Sequence, residues 1–199
     1  TYATSYIPTV PGTDLVAITL NGAPISGSPY ESVVSAAGCG TVVQGPVALQ
    51  TPQDLADFAA LGATGVQGDL IVDQSSIGSL SGLSCLAEVS GFLQISNNAS
   101  LIEVELASLQ SVGDLDIRGN AVLEALDLSQ VASVTGGGIF MTGQPALQTL
   151  DLSSLETVSG FVLVSGSGLS SIGLPSLTTV GGILALLDNG AATSVQVPL

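Results

Sequence analysis

Sixteen carboxylates, two cysteines and one arginine make up the charged and thiol chemistry of this 199-residue chain, which has no lysine and no histidine. No nucleophile–base pair can be assembled from that inventory, so carboxylates would have to carry any catalysis. The reaction class left open to them is paired-carboxylate hydrolysis of polysaccharides. A sugar groove wants aromatic platforms, and with four Phe, three Tyr and no Trp they are missing from this composition. The residues therefore argue for a protein that is not an enzyme, and they imply no cofactor. An acid-based polysaccharide hydrolase ranks third among the functional readings.

Other polar constellations have narrower meanings. Glu105, Asp127 and Asp151 recur at equivalent outward positions of a repeat set out below, with Glu103 and Glu124 nearby. Like charges stacked in this way repel and ask for a cation or a basic partner. Calcium is the weaker reading, since no D-x-D-x-D-G loop accompanies them, and a solvated acidic face is the stronger one. Asn98-Ala99-Ser100 forms a glycosylation sequon on an expected turn. Cys39 and Cys85 are 46 residues apart and share one phase of the repeat. Two regular coils would hold their Cα atoms roughly 9–10 Å apart, beyond disulfide reach, unless an irregular first coil closes the gap. A disulfide is favoured over two buried free thiols.

Charge excludes a further class. The single cation is Arg118 and the net charge is −15, which repels nucleic acid and anionic membranes. Hydrophobic residues make up 46% of the chain, with a mean hydropathy of +0.63, yet the uncharged stretch 157–187 is broken throughout by Ser, Gly and Thr. No run is long enough for a membrane span. The chain begins at Thr1, which reads as a processed or trimmed start, and the polar inventory suits an extracellular or cell-surface protein.

These residues must be positioned by a repeat. Gly45, Gly68, Gly91, Gly113, Gly137, Gly160 and Gly182 are spaced by 23, 23, 22, 24, 23 and 22 residues. Each precedes an apolar pair at i and i+2: Val47/Leu49, Leu70/Val72, Leu93/Ile95, Leu115/Ile117, Ile139/Met141, Val162/Val164 and Leu184/Leu186. That spacing sets both side chains on one face of a strand. A second segment, Leu101, Val104, Leu106 and Leu109, returns at Leu123, Leu126, Leu128 and Val131, then twice more to Leu177. Each repeat makes one coil with two short strands, and coils stack into parallel sheets. A lone coil cannot offset the entropy of its own ordering, so neighbours must supply the burial. The expected fold is all-β with one short helix: a right-handed parallel β-solenoid of about seven leucine-rich coils.

The first coil differs. Thr51-Pro52-Gln53-Asp54 reads as a helix start, and Gly62 as its stop. Residues 1–38 lack the repeat and form a cap or an assembly arm, with a strand-like segment over 15–20 that includes Leu15, Ile18 and Leu20. Residues 39–199 form the solenoid.

Cys39-Gly40-Thr41-Val42-Val43-Gln44-Gly45, then the helix, then G-x-L-x-I strands and Ser-Leu-x-x-Val returns, resemble the receptor L domain. They look closer still to the L-domain-like repeats of bacterial surface proteins and fungal wall proteins. The resemblance covers roughly residues 39–199 and implies an architecture; its motifs are core positions, so it assigns no site.

The outward face of the first sheet changes character along the stack. In coils two to four it carries Asp69, Ile71, Asp73, Phe92, Gln94, Ser96, Asp114, Asp116 and Arg118, a mostly polar set. In coils five to seven, Phe140, Phe161, Leu163, Ile183 and Leu187 stack into one apolar patch, which normally marks an interface. Val195, Val197 and Leu199 keep the phase of the repeat, so the stack is expected either to continue in a longer protein or to be closed by another subunit. These features favour a non-enzymatic extracellular structural protein that associates with itself, head to tail, in a fibre, sheath or surface layer. The alternative is a monomeric surface module that binds another surface protein or a glycan.

Overall fold

The computed structural model describes residues 38–190 in full, together with the backbone of five short strands, Gly12–Val16, Thr19–Leu20, Ala23–Pro24, Tyr30–Val34 and Ser194–Gln196. The segment expected as one strand over 15–20 is divided. Gly12–Val16 pairs antiparallel with Tyr30–Val34, and Thr19–Leu20 with Ala23–Pro24. Ile18 lies outside the described residues, as do Val197 and Leu199.

From Thr41 onward the chain is a parallel β-solenoid. Its principal sheet stacks the seven expected strands: Val47–Ala48, Leu70–Asp73, Glu88–Ser96, Ser111–Arg118, Gly138–Gln144, Phe161–Ser167 and Leu184–Leu187. The chain makes about six turns between the first and the last of them, one fewer than a count of strands gives. The valine returns form shorter strands of the same sheet, such as Ser133–Val134 and Thr157–Val158. A second parallel sheet joins Glu103–Glu105, Ala125–Asp127 and Thr149–Asp151. It stops there, and Ser171–Gly173 pairs instead with Ser194–Gln196.

The core is aliphatic because the i, i+2 pairs point inward. Eleven of their fourteen members, from Leu49 to Val164, are buried, while Val47, Leu186 and the 38% exposed Leu184 sit at the two ends of the sheet. Of the second set, Leu150 alone is partly exposed, where the second sheet stops.

Glycine marks each coil for a steric reason. A Cβ on Gly160 would lie 1.7 Å from the Gly137 carbonyl oxygen, and one on Gly113 would lie 2.5 Å from that of Ser90. Coils touch backbone to backbone at this corner, leaving no room for a side chain.

The helix occupies Pro52–Ala60. Thr51 Oγ1 accepts the Asp54 N–H, and Asp54 Oδ2 accepts those of Gln50 and Thr51, a reciprocal cap. These donors, Gln50 first, hold the Asp54 carboxyl below the usual carboxylate range. Gly62, at φ +59, ends the helix, Phe58 enters the core, and Leu55 packs against Gly82.

Candidate functional site

Three of the four phenylalanines converge on the outer face of the principal sheet. In-register pairing sets Phe92 beside Asp114, Asp116 beside Phe140, and Gly138 beside Phe161. Together with Arg118 and Gly137 they line a groove of about 300 Å³. Gly138 creates the opening: a Cβ there would lie 2.0 Å from the Phe161 carbonyl oxygen, so the position between Asp114 and Phe161 stays bare. Phe140 and Phe161 meet edge to face with centroids 6.3 Å apart, and the Arg118 guanidinium lies 5.2 Å from the Phe140 ring centroid. Phe92 is 48% and Phe161 40% exposed.

Asp116, expected to face solvent, is buried. It does point outward from the strand, with Leu115 and Ile117 in the core on either side, but the half-exposed Arg118 covers it and bonds its Oδ2. Its other oxygen, Oδ1, is shut off from solvent and has no hydrogen-bond partner. Asp114 is tied more firmly, its Oδ1 accepting the Gly138 N–H at 2.9 Å.

The apolar patch is continuous with this groove. Phe140 stands in register with Leu163, and Ser165 with Leu187. Exposure rises along the stack: Phe140 and Leu163 are half-buried, Phe161 is 40%, Leu187 53% and Ile183 73% exposed. Leu15 and Leu20 lie on described strand backbone, but their side chains are outside the described residues.

The acidic ladder exists as register: Glu105 pairs with Asp127 and Asp127 with Asp151. Its carboxylates have local duties, since Asp127 Oδ1 accepts the Ser129 N–H and Asp151 Oδ1 that of Ser153. Among the described residues no group of three or more ligand side chains is placed to hold a metal ion. A wider cleft of about 690 Å³ opens beside Asp127, Thr149, Asp151 and Gly173, where the second sheet breaks between coils.

Asn98, the asparagine of the sequon, faces inward. It is fully buried, its Oδ1 accepting the Ser75 N–H and its Nδ2 donating to the Val72 carbonyl and to Asn120 Oδ1. Asn120 repeats the pattern by donating to the Ile95 carbonyl, Gln144 to that of Ile117, and Asn189 to that of Val164. This internal amide ladder satisfies strand-end carbonyls that would otherwise be orphaned. Its signal in the sequence is Asn98, Asn120, Gln144 and Asn189 at coil spacing, which reads equally well as turn residues.

Cys39 and Cys85 form the disulfide, with Cα atoms 5.5 Å apart. The first coil closes the gap: its pairing with the next shifts register between Thr41 and Val42, and the intervening chain turns at Gly62.

With this geometry in view, two curated fungal proteins are similar to the chain. Protein ecm33 of Aspergillus fumigatus is 25% identical over 149 residues, covering 74% of this chain and 36% of that protein. Cell wall protein ecm33 of Schizosaccharomyces pombe is 24% identical over 126 residues, covering 63% and 28%. The chain thus spans roughly a third of the length of these relatives. No protein-family model and no solved structure matches it. The observed solenoid fits the receptor L-domain-like architecture that the residues resemble. A relative named a cell wall protein and a disulfide agree on location: the protein is extracellular or at the cell surface. No helix among the described residues is long and apolar enough to cross a membrane.

Proposed function

We propose that this chain is a non-enzymatic structural protein of the cell surface that associates with copies of itself. The observation that carries the reading is the apolar outer face of the last three coils, where Ile183 is 73% and Leu187 53% exposed beside Leu163 and Phe161. Contiguous exposed apolar surface of this kind is the mark of an interface. The Schizosaccharomyces relative, named a cell wall protein, supports a place in an extracellular assembly. For the other half of the contact we assign the N-terminal segment, whose strand Gly12–Val16 pairs, among the described residues, with Tyr30–Val34 alone. A strand of this kind can extend a neighbour's sheet, and a head-to-tail contact propagates unless the rotation closes. A non-catalytic role is supported by the absence of histidine and by the structural bonds held by Asp114, Asp116, Asp127 and Asp151.

Light scattering at micromolar concentration tests the proposal. We expect species well above the 19.6 kDa chain mass, and expect Leu163→Glu with Leu187→Glu to return them to folded monomer. A monodisperse monomer for the unmodified chain would overturn self-association and favour the monomeric surface-binding module, which the aromatic groove supports.

A further inference from the structure

We propose that the groove of Phe92, Asp116, Arg118, Phe140 and Phe161 is a binding site for a neutral, gluco-configured oligosaccharide. The inference goes beyond self-association; the groove shares Phe140 and Phe161 with the apolar patch, whereas Phe92 and Asp116 belong to the groove alone.

Three properties of the groove select the ligand class. First, its walls are aromatic: Phe92 and Phe161 leave ring surface exposed on either side of the bare Gly137 and Gly138. Four sheet strands carry these walls, so the groove runs for roughly 14 Å along the stack. Hexoses with equatorial hydroxyls present flat C–H faces that pack on such rings, and their rims keep polar groups free for hydrogen bonding.

Second, the groove holds an unfilled acceptor. Asp116 Oδ1 is buried and without a partner, and a buried carboxylate oxygen in that state is costly. A wholly apolar ligand would leave it so. A hydroxyl that tilts the half-exposed Arg118 head aside can donate to this oxygen while accepting from a guanidinium N–H.

Third, the charged groups of the groove are already engaged with one another or with the backbone. An anion meets a chain of net charge −15, whose sole cation is already paired with Asp116. A cationic ligand is drawn by the net charge but finds both groove carboxylates engaged, Asp116 by Arg118 and Asp114 by the Gly138 N–H. A neutral polyol satisfies donor and acceptor together without bringing charge.

Calorimetric titration of the full chain with tetrasaccharides of β-linked glucose tests the site. We expect saturable binding, weakened roughly tenfold by Phe92→Ala and by Phe161→Ala, and weakened by Arg118→Lys, which keeps the charge but loses the planar fork. Ile102→Ser, at an exposed position beside the second-sheet strand Glu103–Glu105 and outside the groove lining, should bind as the unmodified chain does. Thermal melts of each variant report folding, and light scattering of the same samples reports self-association separately. The proposal is overturned by absence of saturable binding, by binding that Phe92→Ala and Phe161→Ala leave unchanged in folded protein, or by tighter binding of amino- or carboxyl-bearing oligosaccharides than of neutral ones.

Discussion

Asn120 shows how much one side chain does inside this solenoid. Its Oδ1 accepts the Asn98 N–H at 3.0 Å and the Asn98 amide at 3.1 Å, while its own Nδ2 donates to the Ile95 carbonyl at 2.9 Å. All of these groups are away from water, so truncation strands donors and an acceptor rather than returning them to solvent. We expect Asn120→Ala to lower unfolding free energy by about 3 kcal/mol, measured by urea titration. Asn98 belongs to the same ladder, and a glycan there would have to displace three internal bonds. Intact mass of the secreted protein should therefore show Asn98 unmodified; a glycosylated, folded chain would contradict the ladder.

At the scale of the element, the corner where coils touch is the most demanding feature. Gly160 is required by contact alone, because a Cβ would enter the carbonyl of Gly137 on the coil below. Relief needs one coil to lift from the next, which disturbs the strand Phe161–Ser167 and its pairing on both sides. Gly160→Ala should cost about 3 kcal/mol or more. Gly173→Ala is the matched control, since a Cβ there has nothing within 4 Å. Equal melting temperatures for the two variants would contradict the backbone packing described.

For the whole molecule, stability is distributed unevenly along the stack. Middle coils have neighbours on both sides, while the first coil is irregular, carries a helix and has exposed residues such as Val42, at 53%. The Cys39–Cys85 bond staples that region across a separation of 46 residues. Loop closure of this size stabilises by about 4 kcal/mol in the chain-entropy account. We expect Cys39→Ser with Cys85→Ser to lose about 2–4 kcal/mol, with hydrogen exchange rising first over 41–73 and last over 93–165. Uniform loss of protection along the stack would show instead that the solenoid unfolds as a single unit.

The coil, its period and its inward residues were legible in the sequence because core positions must recur wherever coils stack. Leu70, Leu93, Leu115, Ile139 and Val162 bury at one place in successive turns, so a single alignment finds them. The disulfide followed from phase, although only the irregular first coil brings the cysteines within reach. The groove was not legible. Phe92 and Phe161 share one outward phase three coils apart and Phe140 lies two residues further along its strand, but nothing in the repeat says that they enclose a groove, and a count of aromatics argues against a sugar site. They meet because parallel register carries Asp116 beside Phe140 and leaves Gly138 bare beside Phe161. The burial of Asp116 was hidden for a related reason. Strand alternation tells which way a side chain points, whereas its exposure depends on what lies over it, here Arg118 two residues along the same strand. Periodicity determines what the backbone must bury; the surface chemistry arises from contacts between coils, which only the folded stack decides.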